Sequence, residues 1–171
     1  IDTFNNLVIP GGNIDWNLAY HPYSMPMTEP EFWNDTETGL ITTEFSSPII
    51  NMINLNVLTD YLQQSQFLDT KGQVRSVILS EQGFTSTSAT RGKVEDLQAA
   101  AIAYAYYIAD SNPHIDAFIM SRQVDAPVEV NTSCSFGLYS CDMNQPNDIV
   151  ATMPKPSWYV YKNIDNRRTT L

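Results

Sequence analysis

The 171-residue sequence is poor in positive charge. Nine Lys and Arg stand against 19 Asp and Glu, which gives a formal net charge of −10. A surface of this sign repels phosphate backbones and anionic lipid, so we expect neither nucleic acid nor membrane as a partner. No apolar run approaches the roughly 18 residues that a membrane-spanning helix needs. Neutral substrates such as sugars are not excluded by these absences.

Cysteine and histidine are scarce as well, with two of each in the chain. Cys134 and Cys141 follow no zinc-binding spacing, so we predict no metal site. They either form a local disulfide in an exported protein or remain two unpaired thiols. A secreted or periplasmic location is slightly favoured over a cytoplasmic one. The first residue is Ile1, and without an initiator Met or a signal region we expect a processed or truncated end.

Several catalytic sequence motifs are missing. The turn cluster at residues 10–13 lacks the further glycines and the following helix of a phosphate-binding loop. The esterase motif G-x-S-x-G is absent, and no Cys and His stand together at a strand end. These absences weaken nucleotide-binding, esterase and thiol-protease interpretations, and we expect no organic cofactor.

What is present is an alternation of short apolar runs with helical patterns. The runs are typical of buried parallel strands, and helices between them predict an α/β fold. Either a doubly wound sheet or part of a barrel fits this order. The interpretation also places a small hairpin around Gly39 in the long connection at residues 24–48. The predicted strands are residues 14–20, 74–79 and 115–120, and the predicted helices are residues 54–67, 94–109 and 156–165.

Polar residues follow all three predicted strands, at the end where α/β proteins bind ligands. Glu81 comes directly after a buried strand, and Gly83 allows the backbone to turn there. A carboxylate so placed suits a nucleophile or a general acid/base, although it could also cap a loop or pair with Arg122. Trp33 in the long connection could stack on a sugar ring. The candidate site residues are Glu81 as the catalytic group and His21, Tyr23, Trp33, Gln82, Arg122, Gln123 and Asp125 as substrate-binding groups.

Two segments carry a resemblance to a known group of enzymes. Residues 15–23 (DWNLAYHPY) resemble the sixth strand of retaining glycoside hydrolases with a (β/α)8 barrel, and residues 77–84 (VILSEQGF) resemble their seventh. More closely, the chain resembles a bacterial family of glycoside hydrolase-like proteins. Further shared segments are residues 32–35 (FWND), 122–125 (RQVD), 137–139 (GLY) and 158–165 (WYVYKNID).

The resemblance implies that residues 1–171 are one partial catalytic domain, about the last three βα units of a TIM (β/α)8 barrel. Glu81 would then be the nucleophile of a retaining double displacement on a carbohydrate substrate, without metal or organic cofactor. Retention needs a second carboxyl group about 5–5.5 Å away, and the family's acid/base follows the fourth strand. We therefore expect the acid/base to come from outside this chain, although Asp125 and Asp142 are candidates within it. The missing strands would come from an N-terminal piece or another copy.

Two alternatives remain open from the residues. The chain could belong to a non-catalytic carbohydrate-binding barrel that kept the fold. It could instead be a small doubly wound α/β module that acts by protein interaction.

Overall fold

The computed structural model describes residues 1–8, 10 and 14–166. The predicted turn at residues 10–13 lies outside these residues except for Pro10. The α-helices are α1 (Asp2–Val8), α2 (Leu55–Leu62), α3 (Glu95–Asp110), α4 (Pro127–Val130) and α5 (Pro156–Asn163). The strands are β1 (Leu18–Tyr20), β2 (Val77–Gln82), β3 (Thr87–Ser88), β4 (Gly92–Lys93), β5 (Ile115–Met120), β6 (Tyr139–Cys141) and β7 (Ala151–Pro154).

A three-stranded parallel sheet organises the chain, with the order β1-β2-β5. Ala19 pairs with Ile78, which pairs in turn with Ala117. The prediction of an α/β fold with a parallel sheet is therefore confirmed. β5 has the predicted bounds, whereas β2 begins three residues later than predicted and runs on through Glu81. β1 is confined to Leu18–Tyr20.

The two faces of this sheet differ in burial. Val77 and Leu79 have no exposed surface and belong to the core that also includes residues of α2, α3 and α5. On the other face Ile78 is 37% exposed and Ile119 is 48% exposed. Within the described residues no further strand pairs with the outer edge of β1 or of β5. An apolar face and two strand edges are therefore open to solvent.

Helix α3 confirms the prediction for residues 94–109 almost to the residue. On this helix Gln98 and Ile102 are fully buried, whereas Tyr104 is 43% exposed. Gln98 Nε2 donates to the carbonyl oxygens of Phe84 and Gly137 at 2.9 and 3.1 Å. These bonds fix that side of the helix against the loops.

Helices α2 and α5 are shorter than predicted. α2 ends at Leu62, and Asn54 before it belongs to a capping box whose N-terminal residue is Asn51. α5 ends at Asn163, and its Tyr159 is 58% exposed. Trp158 is partly buried, with its ring 5.2 Å from that of Tyr139.

The predicted hairpin around Gly39 is wrong. Residues Phe32–Thr38 form a 3-10 helix, and Gly39 ends it in the left-handed conformation at φ 71°. Phe32 is fully buried against Phe84 and Tyr104, so packing decides the local structure here. The predicted long loop at residues 121–153 also contains helix α4 and the hairpin β6-β7.

A buried polar cluster holds the long connection between β1 and α2 in place. Asp35 Oδ2 accepts the N–H of Met25 at 2.7 Å and Nδ2 of Asn51 at 2.5 Å. Asn54 Nδ2 donates to the carbonyl oxygens of Thr42 and Ile49. Burial raises the pKa of the Asp35 carboxyl from 3.8 to about 6, although the two hydrogen bonds oppose the rise.

We expect Asp35→Asn to stabilise the protein at pH 7. A carboxyl whose folded pKa is raised contributes stability below pH 3.8 and loses that contribution as the pH rises through about 6. At about 1.4 kcal/mol per pKa unit, relief of the ionisation cost is worth roughly 2–3 kcal/mol at pH 7 and nothing at pH 3. The amide oxygen can accept both existing bonds, since both reach the same oxygen atom.

Urea unfolding at pH 3 to 8 measures this difference. Glu37→Gln is the matched control, because Glu37 is exposed on the same 3-10 helix. An Asp35→Asn advantage that does not grow between pH 4 and pH 7 would contradict the account.

Candidate functional site

Glu81 lies at the carboxyl end of β2, and its side chain is exposed. The phenol of Tyr23, which follows β1, donates a hydrogen bond of 2.7 Å to Glu81 Oε1. Parallel pairing explains the contact, because it brings the carboxyl ends of β1 and β2 to the same edge. The structure thus brings together two of the predicted site residues, which are 58 positions apart in the sequence.

The Tyr23 phenol keeps its proton and donates the hydrogen bond in this contact. Burial raises the pKa of its phenol well above the usual range, and the nearby charge of Glu81 adds to the rise, whereas a hydrogen bond with Ser121 opposes it. The Tyr23 ring lies 5.5 Å from the ring of Phe136. The phenol therefore stays protonated at neutral pH and fixes the orientation of the carboxylate.

Gly83 is required just after Glu81 for a steric reason. A Cβ atom at this position would lie 2.9 Å from Cβ of Phe136, closer than real contacts allow. The backbone after β2 can pass Phe136 only without a side chain. The sequence predicted a turn at Gly83, and the structure adds the close approach.

His21 also lies at this edge. Its side chain is exposed, and its Nε2 atom is 3.1 Å from Oγ of Ser80, the residue before Glu81. The imidazole is thereby oriented by β2, one residue from the carboxylate. Ser80 was not predicted to take part.

Arg122 follows β5 and is paired with Glu129 of helix α4. Its Nε donates to Glu129 Oε2 at 2.6 Å, and its Nη2 donates to Oε1. This hydrogen-bonded pair raises the pKa of Arg122, with smaller contributions from Tyr23 and Glu81. The sequence interpretation missed Glu129, although Pro127 at the first turn of α4 is a helix-start signal that could have placed it.

Asp125 is enclosed by protein rather than open to a ligand. Its carboxylate lies 2.7 Å from Nζ of Lys155 and accepts the N–H of Gly137 at 2.8 Å. Lys155 Nζ donates in addition to Ser86 Oγ at 2.8 Å. Burial raises the pKa of Asp125 and lowers that of Lys155, while their mutual attraction opposes both shifts. The pair cross-links three loops, and Asp125 is only 4% exposed.

Three other predicted residues have different surroundings. Gln82 is fully buried, and its Nε2 donates to the carbonyl oxygen of Ile119 at 2.5 Å. Trp33 packs beside Phe32 and Tyr104, with ring centroids 5.5 and 6.1 Å apart. Gln123 is exposed near the site edge. Of these three residues, only Gln123 has an exposed side chain that a ligand could reach.

The opposite end of the sheet carries a cavity of about 480 Å³. It is lined by residues of α2, α3 and the α3–β5 connection, including Thr59, Asn112 and His114. Glu81 does not line this cavity. The candidate site is thus an exposed edge rather than a closed pocket.

Cys134 and Cys141 are both free thiols in the structure. In the described part of the chain, no group of three or more His, Cys, Asp and Glu side chains could hold a metal ion. No helix in the same part is long and apolar enough to cross a membrane.

The fold and the site define a mixed α/β protein with a carboxylate, a phenol and an imidazole at the carboxyl edge of a parallel sheet. The chain belongs to a family of unknown function (DUF5722), whose model matches residues 1–170. No curated protein matches the chain.

One solved structure is similar, titled as structural insights into a family 39 glycoside hydrolase from the gut symbiont Bacteroides cellulosilyticus WH2. The TM-score is 0.49 and the sequence identity is 20%, over 72% of this chain. This chain covers only 22% of that enzyme. A likeness at this level does not carry an argument about activity.

We expect loss of either partner of the Asp125–Lys155 pair to destabilise the protein strongly. Lys155→Met leaves a buried carboxylate without its counter-charge, which costs about 3–5 kcal/mol. The double variant Asp125→Asn, Lys155→Met should lose less free energy of unfolding than Lys155→Met alone, because neither buried side chain then carries a charge.

Urea unfolding at pH 7 measures the free energy of unfolding of the wild type, of Lys155→Met and of the double variant. Lys93→Met is the control, because Lys93 pairs with Glu95 at 3.0 Å and its side chain is 75% exposed. Equal losses for Lys93→Met and Lys155→Met would show that the buried pair has no special role.

Proposed function

We propose that this chain supplies the nucleophile side of a glycoside hydrolase-like protein that cleaves a glycosidic bond with retention. The observation that carries the proposal is the 2.7 Å hydrogen bond from Tyr23 to an exposed Glu81 at the carboxyl edge of a parallel sheet. The resemblance of residues 15–23 and 77–84 to strands of retaining enzymes supports the same assignment. Glu81 is the nucleophile, and Tyr23 orients it.

The reaction follows from this geometry. The free Oε2 of Glu81 attacks the anomeric carbon of the sugar, the bond to the leaving oxygen breaks, and an external acid protonates that oxygen. Water then attacks the same carbon and gives its proton to the conjugate base of that external acid, and the ester bond to Glu81 breaks, which restores both the acid and the carboxylate. The donor Tyr23 limits Glu81 to one reactive oxygen and holds the other.

The acid/base comes from outside this chain in the proposal. Asp125 is enclosed with Lys155, and Glu129 is paired with Arg122. Hydrogen bonds from the Asn144 N–H and the Gln145 side chain lower the pKa of Asp142, so that it is a poor proton donor. None of the three is free to act as the acid in the cycle.

The open sheet face supports a second part of the proposal. Further barrel strands, from an N-terminal piece or from another copy, would pair with the edges of β1 and β5 and cover Ile78 and Ile119. Such strands would complete a (β/α)8 barrel and bring the acid/base opposite Glu81. The described residues are then about three of its βα units.

The proposed sugar-contacting residues are those with surface at this edge. His21 and Gln123 are exposed, and Tyr23 and Arg122 are partly exposed. Gln82 and Asp125 are left out because they are buried, and Trp33 is left out because its ring packs on the core. We expect a carbohydrate substrate of neutral charge, since the protein carries a net charge of −10.

A non-catalytic carbohydrate-binding role is the second candidate. The observation that favours it is that Asp125, Glu129 and Asp142 are all engaged with other groups. In that case glycan binding would survive Glu81→Gln, and the wild-type protein would show no turnover.

We expect a covalent adduct on Glu81 when the protein, with any chain that completes the barrel, reacts with 2-deoxy-2-fluoro glycosides. Peptide mass spectrometry locates the label. Glu81→Gln should abolish it, whereas the control Glu44→Gln, at an exposed residue of another loop, should not. A folded protein that takes no label from a broad panel of such glycosides would favour the non-catalytic candidate.

Tyr23→Phe should slow the labelling of Glu81 by about 10- to 100-fold. This is the effect of losing one hydrogen bond to a charged group, worth about 1.5–3 kcal/mol. Tyr20→Phe is a matched control, because the Tyr20 phenol donates at 2.7 Å to the carbonyl oxygen of Ile50 and not to Glu81. Equal effects of the two changes would exclude an orienting role for Tyr23.

A further inference from the structure

Arg122 stands within electrostatic range of two carboxylates and bonds to only one of them. Both Nε and Nη2 donate to Glu129. Arg122 also lies beside the end of the strand that carries Glu81, because the N–H of Ser121 donates to the carbonyl oxygen of Gln82 at 2.8 Å. From the sequence, Glu81 itself was a candidate partner for this arginine.

The backbone of helix α4 explains why Glu129 is the partner. The Ala126 carbonyl oxygen accepts the N–H groups of Glu129 and Val130 at 2.9 and 3.0 Å. The Glu129 carbonyl oxygen accepts the N–H of Thr132 at 2.9 Å. These bonds fix Glu129 in a short turn, seven positions after Arg122 and within reach of its guanidinium.

The groups that face Glu81 come from two connections, those that follow β1 and β5. Tyr23 bonds to its Oε1 atom, His21 bonds to the neighbouring Ser80, and Arg122 acts from the segment after β5. Arg122 carries a fixed positive charge among these groups. A bidentate pair between it and Glu81 would occupy both carboxylate oxygens and remove the free one.

We propose that Glu129 is a positioning residue that holds Arg122 away from Glu81. While the guanidinium is bound to Glu129, Glu81 keeps one oxygen on Tyr23 and the other open to a sugar carbon. Without Glu129, Arg122 pairs with Glu81 and blocks it. The consequence for reactivity rests on the proposed function, whereas the choice of partner by Arg122 does not.

A double-mutant cycle on the pKa of Glu81 tests the choice of partner. Carboxyl ¹³C NMR titration, assigned with Glu81→Gln, measures that pKa in wild type, Arg122→Met, Glu129→Gln and the double variant. In the wild-type background, Arg122→Met should raise the pKa of Glu81 by less than about 0.5 unit. In the Glu129→Gln background, the same change should raise it by about 1 unit or more, as expected for loss of a direct ion pair.

If Arg122→Met shifts the pKa of Glu81 equally in the wild-type and Glu129→Gln backgrounds, the proposal is overturned. Equal shifts are expected when Arg122 acts on Glu81 only as a distant charge, whether or not Glu129 is present. Glu44→Gln serves as the control background and should leave the small wild-type shift unchanged. Should Glu129→Gln fail to fold, Glu129→Asp keeps the charge but shortens the reach. The Arg122→Met shift should then be larger than in wild type, and an unchanged shift would also overturn the proposal.

The rate of Glu81 labelling by a fluoro glycoside gives a separate readout. Glu129→Gln should slow it at least about tenfold, and adding Arg122→Met should restore part of the loss. A double variant slower than Glu129→Gln would contradict blocking by Arg122. If wild type takes no label, the proposed function fails, while the NMR cycle still decides which carboxylate holds Arg122.

Discussion

Parallel pairing of β2 with β1 on one side and β5 on the other decides where every group of the candidate site lies. Because the three strands are parallel, the segments that follow them all lie at one edge of the sheet, although they are far apart in the sequence. Tyr23, Glu81 and Arg122 each follow or end one of these strands, and they meet only because the strands run in the same direction. An antiparallel β2 would place Glu81 at the opposite edge, beside the connection that contains His114.

The charged side chains at this edge differ in the groups that surround them. Asp125 is locked to Lys155 inside the loops and contributes to stability. Arg122 is held by Glu129 at the surface. Glu81 is bonded to a neutral phenol rather than to a cation, and its side chain stays exposed. This difference in partners is the physical basis for assigning reactivity to Glu81 rather than to Asp125.

The sequence was sufficient for features that depend on local pattern. Residues 115–120 are apolar except for Asp116, and Pro113 follows the Ala-rich helix α3, so both elements were predicted with nearly correct bounds. The placement of Glu81 and Tyr23 at one edge of the sheet was also predicted, because polar residues after buried strands are typical of the ligand-binding end of a parallel α/β pattern.

Features that depend on distant contacts were beyond the sequence pattern. Asp125 and Glu81 both follow apolar strands, and only the fold shows that Lys155, 30 positions later, encloses Asp125. The hairpin predicted near Gly39 is instead a 3-10 helix, because Phe32 packs against Phe84 and Tyr104, which are distant in the sequence. Glu129 was missed because its helix has a single turn, too short for a periodic signal.

Azide rescue of Glu81→Gly is the most direct test of Glu81 as the nucleophile. The protein, with any chain that completes the barrel, is given an activated aryl glycoside, and the product is identified by NMR. Azide in the space of the missing carboxylate should attack the anomeric carbon directly, restore release of the aryl group and give a glycosyl azide of inverted configuration. A glycosyl azide of retained configuration would show that the nucleophile is still present, and would contradict the account.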